Sequence, residues 1–582
     1  MQTIQQELQN RIDAALKGVL GETAIASLPA ETLHVVPTAN PQFGDYQFNG
    51  ALPLAKVLKS NPRALATQIL ENLDVEDISE TPEIAGPGFI NFRLKREYLE
   101  RKIAEVLQDA QLGVPLAETP RTVVVDFSSP NVAKPMHVGH IRSTIIGDSI
   151  ARLLRFAGHR VITDNHIGDW GTQFGKMIVG WKKHRDEENL KRDPIGEMVR
   201  MYQLVNQQTE TDESVADDAR SETTKLQSGD AENISIWENL RALSQNQFDT
   251  IYARLGVSFD HALGESFYND RLQNVVEDLK QKGIAQESEG AVIIPFDEAS
   301  TPALKDRVLV VQKSDGSALY GTTDLATIQY RAEEWQPDEI VYVVDVRQSL
   351  HFQQVFEAAR RWGYESIQFV HVAFGTILGE DGRPIKTRSG EPIKLVDLLD
   401  EAEARALEIA KEKNGEASSE KQKEIARVLG IGATKYADLC QNRTSDYQFS
   451  WEKMLALQGN SAVYLEYAYV RTRSILRRAA AMETGNGKRE TINLQEPAEI
   501  ELSKFLLRVP LAIENALADY RLNALSDYLF ELSQKFTSFY DACPVLKSES
   551  PLRESRLALV KLTGDVLRKG LNLLGIETIE QM

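Results

Sequence analysis

Apolar positions follow two rhythms along the chain, and the changes of rhythm divide it. From Gln5 to Val19 they recur at helical spacing among amides and acids, which predicts a helix. Leu33-His34-Val35-Val36 reads as a short strand, followed by the turn-rich FGDYQFNG, a second helix after Asn61-Pro62 and a strand from Gly88 to Leu94. These elements make an N-terminal α+β unit over residues 1–112, and Gly113 to Pro120 reads as a linker. At Thr122 the pattern becomes VVVDF, a continuous apolar run of the kind buried on both faces of a parallel sheet. A helix follows with Val138, Ile141, Ile145, Ile150, Leu153 and Leu154 on its apolar positions; Gly158 stops it, and Arg160 to Thr163 is the next strand. A second βαβ unit is predicted from EIVYVVD (339–345), a helix from Ser349 to Trp362, and SIQFVHVAFG (366–375). Two such halves imply a doubly wound, Rossmann-like parallel sheet over 120–417, with a ligand crevice at the carboxyl ends of its strands. The acid-rich stretch 184–245 reads as a helical insertion, and 418–582 as an all-α unit. The fold class is therefore multidomain α/β.

Composition narrows this picture. At 582 residues, 42% of them hydrophobic, the chain can bury large cores without a metal or a disulfide framework. Its two cysteines, Cys440 and Cys543, form no CxxC pair, which argues against structural zinc and suits a reducing compartment. The N-terminus lacks the apolar core of a secretory signal, and no run approaches the roughly 18 apolar residues that span a bilayer. A cytoplasmic, membrane-free protein is expected. The net charge of −19 disfavours indiscriminate binding of nucleic acid but leaves room for a specific RNA partner on local basic surfaces.

The chemistry concentrates in SSPNVAKPMHVGHIRST, Ser128 to Thr144. His137 and His140 stand three apart at the opening of a helix and share a face, with Gly139 between them leaving room for a ligand near the backbone. Helix amides, helix dipole and two imidazoles suit an anion such as a triphosphate. The residues alone equally allow a His-rich helix cap or a metal pair. A dinucleotide site is disfavoured, because no GxGxxG follows the strand.

His137-Val138-Gly139-His140 resembles the HIGH signature of class I aminoacyl-tRNA synthetases. The longer FSSPNVAKPMHVGHIRSTIIGD, with IGDWGTQFG (Ile167 to Gly175), resembles the arginyl-tRNA synthetases in particular. IKTRSG then resembles their second ATP loop, usually KMSKS, with Lys386 and Arg388 as its cations and Ser389 where the second lysine would stand. The resemblance implies that Lys134, just before the signature, stabilises the same phosphate charge. It further implies that Tyr320 and Asp324 recognise arginine, with Asp324 as guanidinium partner. Asp126 and Asn131 would hold the substrate's amino end and flank the site, Gln348 would complete the pocket, and His351 would lie near the nucleotide. On bare sequence Asp324 reads instead as a helix N-cap and Tyr320 as a core ring.

FGDYQFNGALPLAK and GPGFINFRL resemble the added N-terminal domain of this family, which contacts the tRNA elbow, and Asp519 to Leu546 resembles its helical anticodon-binding domain. In SAVYLEYAYVRTRSILRRA, Arg471 pairs with Arg478 on one side of a helical wheel, and Arg473 with Arg477 nearly opposite, so one of the two pairs can be structural. The implied activity is arginine–tRNA ligation: ATP and Mg2+ activate L-arginine, which passes to the terminal adenosine's 2′-hydroxyl on tRNA(Arg), in a monomer. The rivals are another HIGH-type enzyme, either a synthetase for a different amino acid or a small-molecule nucleotidyltransferase, and a non-catalytic RNA-binding paralogue, the last supported by Ser389 alone.

Overall fold

The opening helix, Ile4–Leu20, is delimited by its own sequence. Thr3 and Gln6 cap its start reciprocally, and Gly21, at φ 76°, ends it. These and all further details come from a computed structural model, which describes every residue except 1, 22–32, 39, 298–301, 380, 384, 386–392, 414–416 and 483–491. The helix packs beside an antiparallel sheet of β1 (Val35–Pro37), β2 (Tyr46–Phe48), β3 (Glu83–Ala85) and β4 (Phe89–Phe92), in the order β1-β2-β4-β3. The helix expected after Asn61 spans Pro62–Glu71, with the Asn61 side chain accepting from the Arg63 and Ala64 amides. Ala51–Leu58, which the sequence reading leaves without an element, is a further short helix.

The central sheet explains the unbroken VVV run. β5 (Thr122–Asp126) and β6 (Arg160–Asp164) pair in parallel; after a satellite antiparallel sheet of β7 (Gln286–Ser288), β8 (Ala291–Pro295) and β9 (Val308–Gln312) come β10 (Glu339–Tyr342) and β11 (Gln368–His371). The order is β11-β10-β5-β6, all parallel. Val123 and Val125 enter the large core shared with the helical units, while Val124, Ile340 and Tyr342 enter a second core on the opposite face. Every position of such a strand is inside, so the sequence shows no alternation. The chain leaves β5 towards one edge of the sheet and β10 towards the other. The crevice between their carboxyl ends is thus the topological switch point, where ligands bind in such sheets.

The signature helix, Val138–Phe156, lies across β5, and its middle touches the strand's exit. A Cβ at Gly147 would stand 2.1 Å from Phe127 Cγ, so only glycine permits this approach. Its second turn is gripped from the C-terminal side. Arg142, 1% exposed, lies 2.9 Å from Asp438 and donates to the carbonyls of Ser445 (3.4 Å) and Arg443 (3.3 Å). The helical insertion is present as Glu187–Arg192, Pro194–Thr211, Glu213–Gln227 and Ala231–Leu255, the last running beyond the expected end. The described residues from Leu395 onward are helical apart from short connections and the two-residue strand Tyr447–Gln448, which pairs in parallel with Ile377–Leu378. Among the described residues, no helix is long and apolar enough to cross a membrane.

Gly147→Ala should lower the stability of the catalytic unit by about 1–3 kcal/mol, the usual cost of overpacking. Chemical unfolding followed by tryptophan fluorescence would register this as an earlier midpoint; an unchanged midpoint would show that Phe127 gives way freely.

Candidate active site

At the carboxyl end of the sheet, Asp126 of β5 is in register with both Asp164 of β6 and Tyr342 of β10. Two buried carboxylates side by side need a cation, and Arg331 supplies it. Its Nη2 donates to Asp126 (2.6 Å) and to Asp164 (2.8 Å), with the guanidinium 5.5 Å from the Tyr342 ring centroid. Arg331 is 0% exposed and lies on the helix Tyr320–Glu334, seven residues beyond Asp324. The pairing therefore fixes the helix that carries Tyr320 and Asp324. Asp126, expected at the substrate's amino end, spends one oxygen on Arg331; its other accepts from Ser129 Oγ at 3.3 Å.

Asp324 is not the N-cap that bare sequence suggests, since the helix begins at Tyr320 without a side-chain cap bond. Nor is Tyr320 a core ring: it is 68% exposed. Asp324 instead accepts from or shares a proton with His351 Nε2 at 2.5 Å. His351, expected beside the nucleotide, thus stands on the predicted guanidinium partner. Burial opposes its protonation, but the hydrogen bond and charge of Asp324 outweigh it and raise its pKa. Gln348 ends the turn Val346–Gln348 that starts His351's helix.

A carboxylate the sequence reading missed lies within electrostatic reach of Asp324. Glu265 is pushed up to about 7, first by burial, then by the nearby charges of Asp169 and Asp324, with His166 acting the other way. It is held by the loop of IGDWGTQFG: its amide donates to the Ile167 carbonyl at 3.0 Å, and next to it Ser266 bonds Asp169 through both amide and hydroxyl at 2.8 Å. Asn131 is exposed and lies in a bridge with Gly168, where any Cβ would meet Asn131 Oδ1 at 2.4 Å. The two motif loops are thereby zipped together.

The histidine pair cap their own helix. His137 N–H donates to His140 Nδ1 (3.0 Å), and Gly139 N–H donates to His137 Nδ1 (3.0 Å), with the ring centroids 3.9 Å apart. With both Nδ1 atoms accepting, the proton of each neutral ring sits on Nε2. Burial, foremost, lowers both pKa values; His140 falls to about 3, with His137 and Lys134 adding to the effect, and on His137 the charges of Arg347 and Lys134 add to burial. Both rings are neutral Nε2–H donors at neutral pH. Gly139 has a different use from the expected room for a ligand: a Cβ there would stand 2.8 Å from His137 Cε1. The first-turn amides are also spent, since Val138 N–H donates to Ile393 O (3.0 Å) and His140 N–H to His137 O (2.8 Å). An anion here must be met by side chains. Lys134 is exposed in the approaching loop. Lys386 and Arg388 lie outside the described residues.

Of the two arginine pairs in the helix Ala462–Met482, Arg473 and Arg477 are structural, bonded to Glu580 at 2.7 Å each. Arg471 and Arg478 are exposed, with Arg471 5.4 Å from the Tyr540 ring centroid.

Comparison with known proteins finds relatives along the whole chain. Residues 102–451 match the family described as tRNA synthetases class I (R), catalytic domain; 465–582 match the DALR anticodon binding domain, and 6–94 the arginyl tRNA synthetase N-terminal domain. The arginine–tRNA ligase of Picosynechococcus sp. is 46% identical over 100% of both chains, and that of Cyanothece sp. is 45% identical over 99% of each. The arginyl-tRNA synthetase structure from Plasmodium falciparum superposes with a TM-score of 0.84 at 29% identity, covering 100% of both chains. The Thermus thermophilus enzyme gives 0.82 at 26%, covering 99% of this chain and 100% of its own. The chain belongs to the arginyl-tRNA synthetases, class I ligases that join arginine to tRNA.

Proposed function

We propose that the pocket between Asp324 and Glu265 takes the arginine side chain, and that His137, His140 and Lys134 hold the phosphates of ATP. The observation carrying this reading is Asp324, held by His351 in the second turn of the helix that Arg331 fixes to the strand ends and lying in the field of Glu265, together with two neutral imidazoles whose Nε2–H groups are fixed by the capping geometry. A guanidinium is planar and carries five donors, which matches a pair of carboxylates better than an ammonium does. Tyr320 and Gln348 flank the pocket, and Asn131, with Asp126 behind it, faces the amino-acid end.

In the first step an arginine carboxylate oxygen forms a bond to the α-phosphorus, and the bond to the pyrophosphate oxygen breaks. In the second, the 2′-hydroxyl of the terminal adenosine attacks the arginyl carbonyl, and AMP leaves with the phosphate oxygen. No enzyme nucleophile takes part, so catalysis is positioning and charge stabilisation. Lys386 and Arg388 belong to this scheme as further cations for the pyrophosphate. Magnesium would enter with the triphosphate, which supplies most of its ligands together with water. Among the described residues no group of three His, Cys, Asp or Glu side chains forms a metal cage, and no step here is routed through one. The reading includes a cytoplasmic monomer: the free cysteines Cys440 and Cys543 suit a reducing compartment, and one chain supplies every residue named.

Asp324→Ala should raise the arginine KM in aminoacylation of tRNA(Arg) by on the order of a hundredfold or more, the loss of a charged hydrogen-bonded partner. An unchanged KM would remove Asp324 from the pocket. Glu265 gives a pH signature. With its free-enzyme pKa near 7, the group is protonated below neutrality, and a bound guanidinium favours the carboxylate. Arginine must then expel a proton, so its apparent affinity should fall up to about tenfold per pH unit below pH 7 and level off above it. Protonation of His351, which holds Asp324, acts in the same direction. Arginine titrations from pH 5.5 to 8.5 test this, and a flat profile contradicts it.

A further inference from the structure

Among the described residues, the phosphate site as proposed has Lys134 as its one charged donor. The amides of Val138, Gly139 and His140 are bonded within the protein, the histidines carry no charge, and Ser389 stands where the usual second lysine would be. A triphosphate losing pyrophosphate develops charge that neutral donors alone meet poorly.

One exposed cation is held in place beside this site. Arg347 lies on the turn Val346–Gln348 that follows β10, the strand at the topological switch point. Its Nε and Nη2 donate to the two oxygens of Asp345, each at 2.8 Å, and its amide donates to Asp345 Oδ1, also at 2.8 Å. The turn is pinned to the neighbouring chain by Val346 N–H donating to Phe374 O at 3.0 Å. The fork thus fixes the guanidinium plane, while the side chain remains 80% exposed. The Phe374 ring lies 5.7 Å from the Arg142 guanidinium of the signature helix, and Ser143 Oγ of that helix donates to the Val343 carbonyl at 2.6 Å, so the turn stands against the first turns of the helix that His137 caps; there the charge of Arg347, like that of Lys134, opposes protonation of the ring. Two cations from separate elements, the loop before the signature helix and the turn after β10, therefore converge on the same imidazole.

An exposed ion pair between residues two apart contributes little to stability. We propose that Arg347 is a further substrate-contacting residue of the adenylation site, donating from its free Nη1 edge to the pyrophosphate half of ATP. The inference rests on the phosphate role of His137 and His140 given above. Arginine suits the task because its planar fork can bind a carboxylate along one edge and a phosphate along another.

The test is arginine-dependent ATP–pyrophosphate exchange in the full-length enzyme with tRNA present, comparing wild type with Arg347→Gln, Arg347→Lys and His140→Asn. Arg347→Gln should lower kcat on the order of tenfold to a hundredfold and raise the KM for pyrophosphate, leaving the arginine KM and the melting temperature unchanged. Arg347→Lys should recover part of the loss. Wild-type exchange in Arg347→Gln, while His140→Asn collapses, would overturn the inference and leave the histidine site intact. Full exchange in both would overturn the phosphate site itself. A raised arginine KM with unchanged kcat would move Arg347 to the neighbouring Gln348 pocket, and that too overturns the proposal.

Discussion

The catalytic end of this molecule depends on one guanidinium. Arg331 is buried between the carboxylates of Asp126 and Asp164, at the ends of two adjacent parallel strands. Those carboxylates share a register position, so without a cation they would force two like charges into a dry interior. Removing one partner of such a cluster costs about 3–5 kcal/mol. The cluster also has geometric consequences. It locks the helix Tyr320–Glu334 against the sheet, and that helix brings Asp324 to His351 and into the field of Glu265. The helix that carries Asp324 is thus positioned by a structural cation that is out of solvent's reach.

A second constraint works on the opposite wall. The histidines gain fixed Nε2–H donors because each Nδ1 serves as a cap, and this bonding exhausts the amides that usually make a helix start attractive to anions. With neutral rings and bonded amides, an anion at this helix start would have to be met by side-chain donors and cations. Coupling to the rest of the chain runs through buried charges as well. Arg142 ties the signature helix to Asp438, and Glu339 at the far end of β10 accepts from Arg121 (2.7 Å) and from the Tyr520 hydroxyl (2.5 Å). Displacement of the C-terminal helices would be felt at both ends of the sheet.

Much of this was legible in the sequence because local pattern and motif coincide. The VVV run, the His137-x-x-His140 spacing at a helix start and the Asn61-Pro62 cap are local features with local causes. The helix Ala51–Leu58 escaped because eight residues between turns show too short a period to read. Arg331 left a trace, since it falls seven residues from Asp324 on one helical face, but its partners come from strands far away in sequence. Glu265 left none: it opens a short 3-10 helix, Glu265–Arg271, and only tertiary packing brings it into the field of Asp324. The reading of Asp324 as a cap failed for a similar reason, because the three residues between it and Tyr320 put it in the second turn rather than before the first.

The most direct test of the central claim, that this site activates arginine, is arginine-dependent exchange of labelled pyrophosphate into ATP by the wild-type protein, with and without homologous tRNA. Exchange that needs arginine and appears with tRNA present is the predicted result. Intact tRNA binding with no exchange in either condition would contradict it and make the protein a non-catalytic RNA-binding relative.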